Sequence, residues 1–254
     1  MSAMVQAVGA RRAAKKATRG RWRTWFKVIV AVVLCAMLFY HGIILFRVFR
    51  FKSTNPQVTA IMEQRMSEAT ARGEEPKRQQ SWVPYERISS NLVRAVLAGE
   101  DSRFFDHSGF DWEEMRKALE KDWAEGKFSR GASTITQQLA KNLFLSTSKN
   151  PARKLHEALI TSEMEVILGK RRILEIYLNV IEWGDGIYGA EAAARRYFNI
   201  SAAALSGEQA SFLSAIIPSP NGAFNPAKHR GRVERRRSLI QRLMRHVVVP
   251  KDLD

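Results

Sequence analysis

The sequence predicts a mainly α-helical domain behind a single N-terminal transmembrane helix. Three observations carry that prediction. Nineteen consecutive residues, 28–46, bear no formal charge. From Ser81 onward the apolar residues recur at helical spacing, and no alternating apolar and polar run is long enough for a strand. The net charge of +16 is concentrated: residues 1–52 hold eleven Lys or Arg and no Asp or Glu, and residues 228–245 hold eight basic residues against one acidic. The rest of the chain is close to neutral. With 254 residues there is room for one ordinary domain and an appendage.

The uncharged run is long enough to cross a bilayer core of about 30 Å as a helix. It exceeds the apolar region of a cleaved signal peptide and continues into Arg47-Val48-Phe49-Arg50-Phe51-Lys52 without a small-residue cleavage site. Eight basic residues precede it and three follow, so residues 1–27 are expected as a cytoplasmic tail and everything after the span as external. Trp22 and Trp25 suit the cytoplasmic interface. No helix-turn-helix, zinc-finger or RNA-binding signature accompanies the charge, so no nucleic-acid partner is expected. The lone Cys35 lies in the span and excludes an intramolecular disulfide or a cysteine metal site.

Residues 47–80 are polar, are interrupted by Gly73-Glu74-Glu75-Pro76, and read as a helical stalk and linker. The domain is expected over 81–246, with a tail at 247–254. Ser89 or Ser90 caps a helix that turns Leu92, Val93, Val96 and Leu97 inward and delivers Glu100 and Asp101 at its end. A second helix follows Gly131-Ala132-Ser133-Thr134, with Ile135, Leu139 and Leu143 on one stripe and Thr134, Gln138 and Lys141 on another. A third follows Pro151 and stacks Arg153, Lys154 and Glu157 on one side. Further helices are expected over 173–180 and 189–198, and from Ser206, where Ser206-Gly207-Glu208-Gln209 is a capping box. Pro218-Ser219-Pro220-Asn221-Gly222 forces a turn, and a basic helix over about 232–246 closes the domain.

Two adjacent carboxylates between an apolar helix and two phenylalanines either pair with arginines at a helix end or serve as a general base or acid with a raised pKa. The Thr134, Gln138, Lys141 face reads equally as a solvated helix side, and Arg153-Lys154-x-x-Glu157 as an ordinary ion pair. Together within 58 residues they also compose a different site. A carboxylate would take a hydroxyl proton, while cations and amide donors would stabilise an anionic phosphate leaving group.

The segment Glu100-Asp101-x-x-Phe104-x-x-His107-x-Gly109-x-Asp111 resembles the first motif of the family 51 glycosyltransferases, which polymerise lipid II into peptidoglycan strands. Gly131 to Leu145 is similar to the second motif, Arg153-Lys154-x-x-Glu157 to the third, and Lys170-x-x-Ile173-Leu174-Glu175-x-Tyr177-Leu178-Asn179 to the fourth. Residues 186–198 and Pro218-x-Pro220 also fit, so the resemblance covers about residues 81–245. Ala132 stands where the family usually has a second glycine, which removes no donor and is not expected to affect activity. No transpeptidase domain is expected to follow, as in the monofunctional members.

The resemblance implies a lysozyme-like, two-lobed helical glycosyltransferase domain and a bacterial inner-membrane protein with its catalytic domain in the periplasm. It implies that Glu100 is the base toward the acceptor sugar 4-hydroxyl and that undecaprenyl pyrophosphate leaves with inversion. Lys141, Arg153 and Lys154 would clamp the pyrophosphate, Asp101, Phe104, His107, Ser133, Thr134, Gln138 and Asn142 would line the substrate, and Glu157 is the second catalytic carboxylate. Glu157 would orient the lysines, take part in proton transfer or help hold a divalent cation, Mg or Mn. Phe104, Phe105, Phe128 and Leu143-Phe144-Leu145 either build the core or meet the lipid tail, and the closing basic helix either meets anionic headgroups or is solvated. Expected partners are lipid II, the growing strand, the membrane and other cell-wall synthases. A lytic transglycosylase or muramidase of the same fold and a catalytically inactive membrane-tethered scaffold are the rival readings.

Overall fold

The computed structural model describes residues 2–125, 133–145 and 151–250, with the side chain of Trp22 and those of residues 25–124 in the first stretch. Phe128, Gly131, Ala132 and residues 251–254 lie outside the described residues. The chain divides into two units, residues 1–47 and 48–254. In the first, helix α1 (Ser2–Arg50) contains an apolar stretch in which 18 consecutive residues have a mean hydropathy of 2.6. That stretch, Trp25–Arg50, encloses the expected span and leaves Leu34, Leu38 and Phe39 exposed, as suits a helix solvated by lipid.

The second unit is mainly helical, as expected. Its helices are α2 (Ala60–Ala71), α3 (Ser90–Glu100), α4 (Trp112–Glu125), α5 (Ile135–Phe144), α6 (Pro151–Val180), α7 (Ala190–Phe198), α8 (Gly207–Ile216) and α9 (Arg230–Leu243). Ser89 caps α3 by accepting the Asn91 N–H at 3.2 Å, and Leu92, Val93, Val96 and Leu97 are buried as the pattern requires. Each such side chain contributes about 1.5–3 kcal/mol relative to exposure. Helix α3 packs on α8 and α9, and Ser214 of α8 donates to the Ala95 carbonyl at 2.7 Å. Helix α5 packs across α6. The Ser206–Gln209 capping box opens α8 as read from the sequence.

Two differences from the sequence reading have physical causes. Of the stretch 47–80, expected as stalk and linker, residues 48–80 belong to the second, folded unit. Thr59 caps α2 by accepting the Met62 N–H at 3.2 Å, and Ile61 and Met62 are buried where α2 meets α5. Only two residues of α2, the adjacent Ile61 and Met62, are buried, and two neighbouring positions announce no helical periodicity. Second, a three-stranded sheet is present, with β1 (Gln79–Gln80) parallel to β3 (Ile187–Tyr188) and β2 (Glu182–Gly184) antiparallel to it. Asn179 extends this seam, its amide accepting from the Val83 N–H and donating to the Val83 carbonyl, both at 2.9 Å. The helices expected after Pro151 and over 173–180 are the two segments of α6, which breaks at Gly169, whose φ of 73° and ψ of 162° are rarely adopted by residues with a Cβ. The leucine-phenylalanine run is core: Leu143, Phe144 and Leu145 are all buried.

Candidate active site

Helix α3 ends at Glu100 because Asp101 leaves the helical region, with φ of −164° and ψ of 79°. The Asp101 side chain turns to α5, where one oxygen accepts the Ile135 N–H at 2.9 Å and the other meets His107 Nε2 at 3.0 Å. Ile135 is the first residue of α5, so a carboxylate caps a helix N-terminus and satisfies one of its free donors. Thr134 completes the knot. Its hydroxyl accepts the Gln137 N–H and donates to the Gly109 carbonyl at 2.7 Å, while Gln137 Oε1 accepts the Thr134 N–H at 3.1 Å. Gly109 has φ of 88°, and a Cβ there would come within 2.8 Å of Thr161.

These contacts show what several of the expected substrate-binding residues do in the fold. Asp101 and Thr134 are buried and committed to fastening the loop to α5. Phe104 is fully buried, with the Lys170 ammonium 4.3 Å from its ring centroid, so it supports the loop from beneath. His107 is enclosed between Asp101 and the edge of Phe104. Phe104 alone is wholly enclosed; Asp101 and Thr134 also line the small hollow beside Glu100, and His107 is half-buried.

Glu100 has different neighbours. One oxygen accepts from Arg236 Nη2 at 2.8 Å and the other from Gln138 Nε2 at 3.0 Å. Gln138 cannot turn its amide over, because its oxygen accepts the Tyr177 hydroxyl at 2.9 Å. Burial holds the Glu100 carboxyl above the ordinary range, against the opposing pull of the Arg236 charge and the Gln138 hydrogen bond. Burial likewise keeps the Tyr177 phenol protonated, with Glu100 and Asp101 adding to the effect. A carboxylate whose proton affinity is raised in this way is a stronger base than an ordinary one.

One turn along α5 from Gln138 lies Lys141, and Asn142 follows with its amide donating to the Gln138 carbonyl at 2.7 Å. Glu157 of α6 is buried and faces two cations: Arg153 donates to it at 2.9 Å and Lys154 pairs with its other oxygen. Burial draws the Lys141 ammonium below the usual lysine range, with the nearby Glu157 charge opposing that shift; Arg153 and Lys154 lower it further and Glu100 raises it. Lys141 therefore stands in the field of both expected catalytic carboxylates. Lys141, Arg153, Lys154 and Glu157 together leave a formal charge of +2.

Two hollows flank this row. One, of about 180 Å³, is lined by Glu100, Ser102, Asp111, Glu114 and the exposed Ser133, with no Lys or Arg in its wall. The other, of about 420 Å³, is lined by Gln138, Lys141, Asn142 and Arg65 among others. A neutral hydroxyl-bearing group suits the first and an anion the second.

Arg236 and Tyr177 were missed as site residues by sequence reasoning. Arg236 lies in the closing helix that was read as headgroup-facing or solvated. Its signal was available: Val233 and Ile240, both buried, sit three before and four after it, which places Arg236 on the packed face of α9.

Residues 65–245 match the family model described as Transglycosylase. The biosynthetic peptidoglycan transglycosylase of Chromobacterium violaceum is 46% identical over 228 residues, spanning 90% of this chain and 99% of that protein. That of Thiobacillus denitrificans is 47% identical over 235 residues, 92% of this chain and 100% of the relative. That of Methylobacillus flagellatus is 45% identical over 226 residues, covering 89% and 97%.

Proposed function

The chain belongs to the transglycosylase family and is a peptidoglycan glycosyltransferase, and from that premise we propose how its side chains divide the reaction. Glu100 takes the proton from the 4-hydroxyl of the acceptor sugar of lipid II, seated in the hollow without cations. The oxygen then attacks C1 of the donor sugar at the end of the growing strand. The bond from C1 to the pyrophosphate oxygen breaks, both electrons leave with the pyrophosphate, and the configuration inverts. Lys141, with Arg153 and Lys154 held in place by Glu157, receives that charge. Glu157 acts as a positioning residue, since both its oxygens face cations.

The observation that carries this reading is the placement of a carboxylate with a buried side chain, Glu100, against Gln138 and of a half-buried lysine, Lys141, one turn further along the same helix. A hydrolase needs no such cation, since its leaving group is a sugar hydroxyl. A degenerate scaffold has no use for a carboxylate kept out of water.

The divalent cation that the resemblance allows has no ready set of protein ligands. Among the described residues no three His, Cys, Asp or Glu side chains converge, and both Glu157 oxygens are occupied, so no step is routed through a metal.

We also place the catalytic unit on the outer face of a bacterial inner membrane with the basic tail inside. The charge asymmetry about the span supports this. So do two apolar rows that none of the described residues covers: Trp112, Leu119 and Trp123 of α4, and Leu155, Leu159 and Val166 of α6, all exposed. A lipid-linked substrate reaches the site most directly from such a surface. Other cell-wall synthases remain proposed partners on the strength of the resemblance alone.

The test is direct. The purified whole chain in detergent is expected to convert lipid II to polymer, and Lys141→Ala to slow it by about 10²–10³-fold. Intact lipid II after incubation with the unsubstituted chain contradicts the proposal.

A further inference from the structure

Helix α9 packs on α3 and α8 along one side, with Val233 and Ile240 buried and Arg236 against Glu100. Its other side carries Arg235, Leu239, Arg242 and Leu243, which recur at helical spacing and are exposed. Past the end of the helix this face meets a groove of about 710 Å³, lined among others by Asn91 and Arg94 of α3, Glu208 of α8, and Met244, Arg245 and Val247. Arg94 donates to the Ser90 hydroxyl at 3.1 Å. Arg94, Arg235, Arg242 and Arg245 pair with no carboxylate among the described residues, whereas Arg237 beside them is met by Glu234 at 3.2 Å. Apart from that pair, four arginines against the single carboxylate of Glu208 leave +3 on this face. Leu239, Leu243 and Val248 stand exposed among the charges.

This groove is separate from the catalytic site. Helices α3 and α9 run in opposite directions, with Arg236 beside Glu100 at one end and Arg245 in one groove with Asn91 and Arg94 at the other. From Asn91 to Glu100 is about 14 Å of helix. The chain's exit from the span is tied elsewhere: Phe51, Thr54 and Asn55 are held by Arg172 of α6. The exposed apolar rows likewise belong to α4 and α6, so a lipid surface meets other elements. A second copy of a chain with a net charge of +16 is repelled from a basic face. The complement of arginines interleaved with leucines is a segment of carboxylates interleaved with apolar side chains. We propose that the outer face of α9 and its groove are a docking surface for such an acidic, leucine- or valine-bearing segment of a partner protein. Its carboxylates meet Arg94, Arg235, Arg242 and Arg245, and its apolar side chains meet Leu239, Leu243 and the groove floor at Met244 and Val247. The exposed charges speed and orient the encounter and are screened by salt, while the apolar contacts hold the bound segment.

The experiment places a dye on this face. The whole chain with Cys35→Ser and Val248→Cys is labelled with bimane and set in nanodiscs of phosphatidylcholine, and a short soluble peptide of alternating Glu and Leu is titrated in. The proposal predicts a saturable emission shift that weakens with added salt and that a peptide of alternating Lys and Leu does not produce. Arg242→Glu together with Arg245→Glu is expected to weaken binding roughly tenfold or more. Lipid II consumption by that variant should stay within about twofold of the parent. Should the double reversal fail to fold, Arg242→Gln with Arg245→Gln is expected to weaken binding about threefold. No shift with the acidic peptide, or equal affinity in the folded variants, overturns the proposal. So does a shift produced by phosphatidylglycerol in the discs without peptide, which would assign the face to the membrane. The peptide titration reads the same whether or not the chain polymerises lipid II, so a failure of the catalytic reading is distinct from a failure of this one.

Discussion

Glu100 and Asp101 leave the end of α3 in different directions, and the difference decides what each can do. Asp101 meets an N–H and an imidazole and is spent on the fold. Glu100 meets an arginine and an amide at the edge of a hollow and keeps its proton affinity. Adjacent residues in a sequence carry no such distinction, which is why both were expected at the substrate. Glu100 and Lys141 are shifted in opposite senses, up for the acid and down for the amine, and the pH profile should show both. The base works only as carboxylate, so kcat/KM falls as pH drops through the raised Glu100 pKa. The clamp works only as ammonium, so the rate falls again as pH rises through the lowered Lys141 pKa. Lys141→Arg keeps its charge throughout and is expected to lose or shift only the alkaline limb. An alkaline limb unmoved in that variant would assign it to another group.

At the scale of elements, the site depends on how α3 and α5 are joined. The Asp101 contact to Ile135 and the Thr134 capping box set the first turn of α5, and Gln138 and Lys141 ride on that helix. Thr134→Ala removes one acceptor for the Gln137 N–H and one donor to Gly109. It is expected to cost about 0.5–2 kcal/mol in denaturant unfolding, with the hydroxyl loss alone responsible. A variant as stable as the parent would mean that the cap is made by water instead. The capped and apolar helices α3, α5 and α8 were legible in the chain because Ser89, Thr134 and Ser206 stand directly before apolar periodicity. The short strands were not, since two or three residues contain no period. Helix α2 was hidden behind its polar face, and Arg236 behind a run of arginines in which only Val233 and Ile240 mark the packed side.

For the molecule as a whole, charge and apolar surface agree on a protein that works at a membrane. The span lies within α1, and the catalytic unit adds exposed tryptophans and leucines on α4 and α6. Brominated lipid in vesicles holding the whole chain is expected to quench less fluorescence when Trp112 and Trp123 are both replaced by Phe. Equal fractional quenching in parent and variant would place that surface in water. The division of labour proposed for the reaction rests finally on one carboxylate. Glu100→Gln preserves size and the contact with Gln138 while removing the base. Measured by lipid II polymerisation, with circular dichroism to establish that the fold is intact, this variant is expected to lose about 10²–10⁴-fold of the rate. A folded Glu100→Gln protein that polymerises lipid II at the parent rate would contradict the account at its centre.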